Sequence, residues 1–130
     1  MYYLRRIMDN NFEVAHIAEL RAGMAKFKRQ IQSGQKRLIV ASHGRVVGFL
    51  LPIQDLEGEH PVPVEHTRDM SISEFRNCIS QAWDLLQSEI DCFYLTFHKR
   101  RVLVFLSPKL ASYLPIPIVS GNVLALEVNN

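Results

Sequence analysis

Ser71-Ile72-Ser73-Glu74-Phe75-Arg76-Asn77 decides how this chain is read, because Ile17-Ala18-Glu19-Leu20-Arg21-Ala22 repeats its pattern 55 residues earlier. Carried forward without a gap, the same offset sets Gln32-Ser33 against Gln87-Ser88, His43 against His98 and Arg45 against Arg100. It also sets Val47 against Val102 and Leu51 against Leu106. Self-similarity at a fixed spacing marks a chain built from like supersecondary units. Two copies imply a duplicated element rather than a solenoid.

Within the first copy, Phe12 to Ile17 alternates apolar and polar side chains, the pattern of a short half-buried strand. Leu20, Met24, Phe27 and Ile31 then recur at helical spacing, with Arg21, Lys28 and Gln32 on the flank or far side. Gly34 stands where a helix C-cap glycine is expected. The apolar runs Leu38–Ala41 and Val46–Leu51 flank Ser42-His43-Gly44-Arg45, whose glycine suits the positive φ of a tight hairpin. One unit is therefore strand, helical stretch, strand, hairpin, strand. In the second copy Phe75, Ile79, Ala82, Trp83 and Leu86 make the helix face, and Cys92–Thr96 and Val102–Leu106 the strands. Its hairpin departs from the first, because Lys99 takes the place of Gly44. That hairpin must use another turn or hold Lys99 in a costly left-handed conformation. Pro61 and Pro63 make the connector extended. A short turn around Leu110 and Tyr113-Leu114 and a last strand over Asn122–Val128 complete the expectation.

The chain has 130 residues, 48% hydrophobic and 22% charged, the usage of an ordinary globular domain and not of a disordered tail. The formal charge of +2 is unevenly spread. Residues 17–56 hold seven basic and two acidic side chains, residues 72–111 five and four, and residues 57–70 one and four. A basic first half suits a polyanion, although solvated Lys and Arg on a helix face would look the same. Cys78 and Cys92 lack metal-ligand spacing and are expected as free thiols of a reducing, cytoplasmic compartment. The N-terminal stretch lacks a signal-peptide run, and no segment has the apolar length of a membrane span. No nucleophile elbow, phosphate-cradling glycine loop or metal motif is present, so neither an enzyme nor a cofactor is expected. Trp83 is expected in the core.

Isoleucine, a small residue, Glu, a hydrophobe and Arg, then a helix closed by Ser-Gly and an apolar hairpin ending in Leu-Pro, resemble the DNA-binding half of the Phd/YefM antitoxin family. Ile17–Glu57 carries the likeness once and Met70–Ser107 a second time. The resemblance implies an α+β fold with two Phd/YefM-like strand-helix-hairpin units packed as a single-chain pseudo-dimer. The first unit would be residues 1–57, the Pro/Glu-rich connector 58–69, and the second unit with a short C-terminal strand 70–130. It implies a transcriptional regulator that binds double-stranded operator DNA, represses its own operon and neutralises a toxin. The family's DNA-contacting helix arginine falls on Arg21 and Arg76. Its second contact, at the start of the hairpin turn, falls on Ser42 and Phe97, so that arginine is missing from both copies. Arg45, Arg100 and Arg101 supply basic residues later in the turns, and Lys28 flanks the first helix. The long acidic C-terminal helix of the family is absent.

Fusing two copies replaces association between chains by association within one, at an effective concentration of about a millimolar. Such a chain would act alone or pair again as a homodimer of pseudo-dimers. The bland account of Arg21 and Arg76 is that their stems cover the helix and their heads pair with Glu19 or Glu74. The alternative function is a non-enzymatic protein-interaction module, an adaptor or subunit of a larger complex. It would offer Val62-Pro63-Val64 and Leu124-Ala125-Leu126 to a partner's sheet edge.

Overall fold

Strand β1 (Phe12–His16) leads into helices α1 (Ile17–Ala22) and α2 (Met24–Gln32), and the chain returns as β2 (Arg37–Ser42) parallel to β1. A hairpin gives β3 (Arg45–Pro52), and a 3-10 turn over Ile53–Leu56 follows. The order then recurs as β4 (Thr67–Ser71), α3 (Ile72–Asn77), α4 (Ile79–Ser88), β5 (Cys92–Phe97), β6 (Arg100–Leu106) and a 3-10 turn over Pro108–Tyr113. This is a computed structural model, and it describes residues 12–57 and 61–114. The expected strand at Asn122–Val128, with Leu124-Ala125-Leu126 inside it, lies outside the described residues.

All six strands form one sheet in the order β1-β2-β3-β6-β5-β4. The pairings of the second run are those of the first displaced by 55. Phe12 faces Arg37 as Thr67 faces Cys92, and Leu38 faces Leu50 as Phe93 faces Phe105. Even the β-bulge recurs, at Val40/Ala41 and again at Leu95/Thr96. At the centre, antiparallel β3 and β6 set Leu50 opposite Phe105, its own counterpart at that offset. The neighbouring pairs Phe49–Leu106 and Leu51–Val104 exchange under the same shift. Two like strands paired in this way are related by an approximate two-fold axis through the Leu50–Phe105 pair.

The helices cover one face of the sheet. Leu20, Met24, Phe27 and Ile31 are buried there as their spacing requires, against Leu38, Val40, Leu50, Phe93, Leu103 and Phe105. Phe75 meets Phe105 edge-on with ring centroids 4.8 Å apart. The helical stretch is kinked at Gly23 (φ −107°, ψ 23°) and at its counterpart Cys78, which splits each helix in two. α2 ends as expected: Gly34 has φ +84°, its N–H reaches the Ile31 carbonyl, and the Gln35 N–H reaches that of Gln30. Those two bonds make a Schellman cap. Trp83 is partly buried against this core.

The other face buries Ile39, Phe49, Leu51, Cys92, Val104 and Leu106 beneath Leu56, Val62 and Leu114. This corrects the expectation that Val62-Pro63-Val64 is free to add to a partner's sheet. Val62 is only 5% exposed and its N–H donates to the Leu56 carbonyl. A second correction concerns the connector, because β4 already begins at Thr67, inside the stretch read as linker. Its sequence, Thr-Arg-Asp-Met-Ser, buries Met70 alone, so no apolar pattern announced a strand. Cys78 and Cys92 are free thiols, and burial pushes the Cys92 thiol up to about 12. Among the described residues no helix is long and apolar enough to cross a membrane.

The two hairpins share one turn. His43 (φ 52°) and Gly44 (φ 75°) match His98 (φ 53°) and Lys99 (φ 67°), two positive values in succession as a type I′ turn demands. Lys99 is therefore held in the left-handed region. Relief of that strain, about 1–2 kcal/mol, outweighs the extra chain entropy of glycine, about 0.5–1 kcal/mol. Lys99→Gly is expected to raise the melting temperature in calorimetry.

Near the axis, size is redistributed between the halves. A Cβ on Gly48 would lie 2.5 Å and 2.7 Å from atoms of the Phe105 ring. Their counterparts, Leu103 and Leu50, are of equal size. Gly48→Ala should cost about 1–3 kcal/mol in urea denaturation. Phe105→Leu in the same chain should recover part of that loss, giving a favourable coupling in the double-mutant cycle.

Candidate nucleic-acid interface

The repeated phrase around Glu19 and Glu74 is first a folding signal. Ser71 caps α3, its Oγ accepting the Glu74 N–H at 3.0 Å. In the first copy Glu19 reaches back, its Oε1 accepting the His16 N–H at 2.9 Å. Each bond satisfies a main-chain donor that a helix start leaves without a partner. The hydrophobe one residue later, Leu20 or Phe75, is fully buried. The arginine beyond it is thereby delivered to the exposed end of a six-residue helix.

The two arginines meet. Arg21 Nε donates to the Arg76 carbonyl at 3.1 Å, and Arg76 Nε donates to the Arg21 carbonyl at 2.9 Å. Each guanidinium thus sits on the C-terminal carbonyl end of the other's helix, where a cation is favoured. The bland expectation of pairing with Glu19 or Glu74 is corrected, since among the described residues neither arginine has a carboxylate partner. Two cations consequently stand side by side near the axis.

A cleft lies on each side of this pair. One is lined by Arg21, Met24, Lys28 and Arg29 from the first half and by Ile72, Ser73, Arg76 and Phe97 from the second. Lys28 Nζ lies 3.8 Å from the centroid of the Phe97 ring, and Phe97 is 44% exposed. The other cleft is lined by Ile17, Ala18, Arg21, Ser42 and His43, with Ser80 across from them. Arg45 and Arg100 are exposed at the feet of the two hairpins, opposite Ser42 and Phe97. Arg101 is placed apart from all of these. It forms two hydrogen bonds with Asp69, at 3.1 Å and 2.8 Å, and lies 4.0 Å over the Tyr94 ring. Tyr94 packs into the cluster on the face away from the helices, so Arg101 belongs to that face.

Counting charge along the chain placed the basic surface in the first half. In space, the helix of the first half is set against the hairpin of the second. Arg29 and Phe97 join the site by that route. Their only sequence signals were a basic residue after Lys28 and an aromatic where the family has arginine.

Glu65, His66 and Asp91 gather at the mouth of a separate polar hollow, their ligand-type atoms within 4.8 Å of one another. Asp91 Oδ2 is engaged by the main-chain N–H groups of Glu65 and His66 at 3.0 Å and 3.1 Å, so the group ties the connector to the start of β5. No family model, curated protein or solved structure matches the chain.

The two N–H groups hold the Asp91 carboxyl below its ordinary range. A carboxyl depressed in the folded state stabilises it above the unfolded value, and this is lost as pH falls toward the folded one. Urea midpoints measured from about pH 5 to pH 3 should therefore fall more steeply for the natural chain than for Asp91→Asn.

Proposed function

We propose that the chain is a DNA-binding transcriptional regulator of the Phd/YefM antitoxin type, with two copies of one strand-helix-hairpin unit serving as a pseudo-dimer. The observation that carries this reading is the reciprocal Arg21–Arg76 pair. Two like cations side by side without a carboxylate repel one another, and an anion such as a phosphate relieves that repulsion. Both occupy the position at which the family resemblance puts a DNA contact, and an approximate two-fold axis relates them, as a duplex site would require. Arg21 and Arg76 would hold phosphates near the axis, with Lys28, Arg45 and Arg100 further out. Such contacts position a protein on DNA without specifying sequence. The reading puts the chain in the cytoplasm, without catalytic or cofactor chemistry, with its own operator and a toxin as partners.

A protein-interaction module is the second reading. One observation favours it: the Nε groups of Arg21 and Arg76 are already engaged by main-chain carbonyls.

Titration of a mixed-sequence duplex separates the two readings. A regulator binds with an affinity that falls steeply with salt, log K against log salt having a slope of about −4 or steeper. Arg21→Ala and Arg76→Ala should weaken binding comparably, because each removes one of two equivalent cations and leaves in place the main-chain carbonyl that holds the other. Affinity at 50 mM salt no greater than that of a neutral control protein would leave the interaction module.

A further inference from the structure

The clefts on either side of Arg21 and Arg76 have like backbones and unlike charge. Their walls correspond at the 55-residue offset: Ile17 with Ile72, Ala18 with Ser73, and Ser42 with Phe97. Lys28 and Arg29 line the first cleft, and the residues at the corresponding positions of the second half are Trp83 and Asp84, neither of them basic and neither lining the second cleft. Lys99 and Arg100 crown the hairpin beside the first cleft, where the other hairpin has Gly44 and Arg45. The first flank thus has four cations, Lys28, Arg29, Lys99 and Arg100. The corresponding positions of the second half hold Trp83, Asp84, Gly44 and Arg45, one cation and one carboxylate.

We infer that the chain grips duplex DNA from one side of its approximate axis, through α2 of the first half and the β5–β6 hairpin of the second, and that its site lacks inverted-repeat symmetry. This rests on the DNA-binding reading and adds the form of the site. A symmetric dimer reads an inverted repeat because its two surfaces are identical. Here the scaffold provides two surfaces and the side chains charge only one of them. Neutralising phosphates is the main source of affinity, so contacts concentrate where the cations are. Lys99 points the same way. The turn needs two positive φ values, Gly44 meets the second without strain, and Lys99 meets it at φ +67°. Strained backbone clusters where a side chain has a use, and Lys99 adds an exposed ammonium at the tip of the hairpin that carries Phe97.

The test selects bound sequences from a duplex library with 20 random base pairs, then maps protection on the best duplex by hydroxyl-radical footprinting. The expected result is a consensus without an inverted repeat, protected mainly on one side of its centre. K28A/R29A should reduce the salt slope by about 2 and weaken binding roughly tenfold or more, while the chain still unfolds cooperatively with only the small loss of melting temperature that one exposed cation–π contact represents. K99G should melt higher yet reduce the slope by about 1, a split that a purely structural role for Lys99 would not give. R45A, which removes the cation of the other flank, should weaken binding by less than half as much as K28A/R29A. An inverted-repeat consensus with even protection, or R45A as damaging as K28A/R29A, overturns the one-sided grip and leaves the DNA-binding reading standing. Absence of any salt-dependent duplex binding overturns both.

Discussion

Four residue pairs between β3 and β6, from Phe49–Leu106 to Pro52–Leu103, join what would otherwise be two three-stranded sheets. A three-stranded sheet with one helix-covered face leaves an open edge and an uncovered apolar face, both liabilities in water. The join removes the inner edges and makes one continuous apolar surface on either side. Packing at the join is specific to this chain. Gly48 leaves room for the Phe105 ring, which in turn supports Phe75 of α3.

The same join creates the candidate site. Antiparallel β3 and β6 bring the C-terminal ends of α1 and α3 together, and only then does each arginine find the other helix's carbonyl. The clefts arise on either side of that meeting point, each walled by elements of both halves. The backbone preserves its two-fold relation closely, down to the bulges, because hydrogen-bond register tolerates little change. Exposed side chains are free of that constraint, and charge has become unequal at positions where the backbone has not.

Much of the fold was legible from local signals. The helix face through Leu20, Met24, Phe27 and Ile31, the cap at Gly34 and the hairpin glycine all act within a few residues of themselves. What escaped notice has physical causes. β4 is an edge strand with one buried side chain, so it shows no alternation. The kinks at Gly23 and Cys78 leave the apolar period intact and so do not disturb it. Lys99 has no intrinsic preference for positive φ, and pairing of the flanking strands imposes it.

The strand-helix-hairpin unit and its echo are written locally, since caps, turns and apolar period act within short stretches and the offset between the two runs is constant. The sequence also named the arginines, through their place in the repeated phrase. Which cations stand together was decided only by tertiary structure. Lys28 and Phe97 are 69 residues apart and belong to different copies. Their contact follows from strand order, and strand order depends on long-range burial rather than on any local pattern. Strand alternation sends Arg101 to the face opposite its neighbour Arg100, but that it meets Asp69, 32 residues away on the edge strand, follows again from strand order.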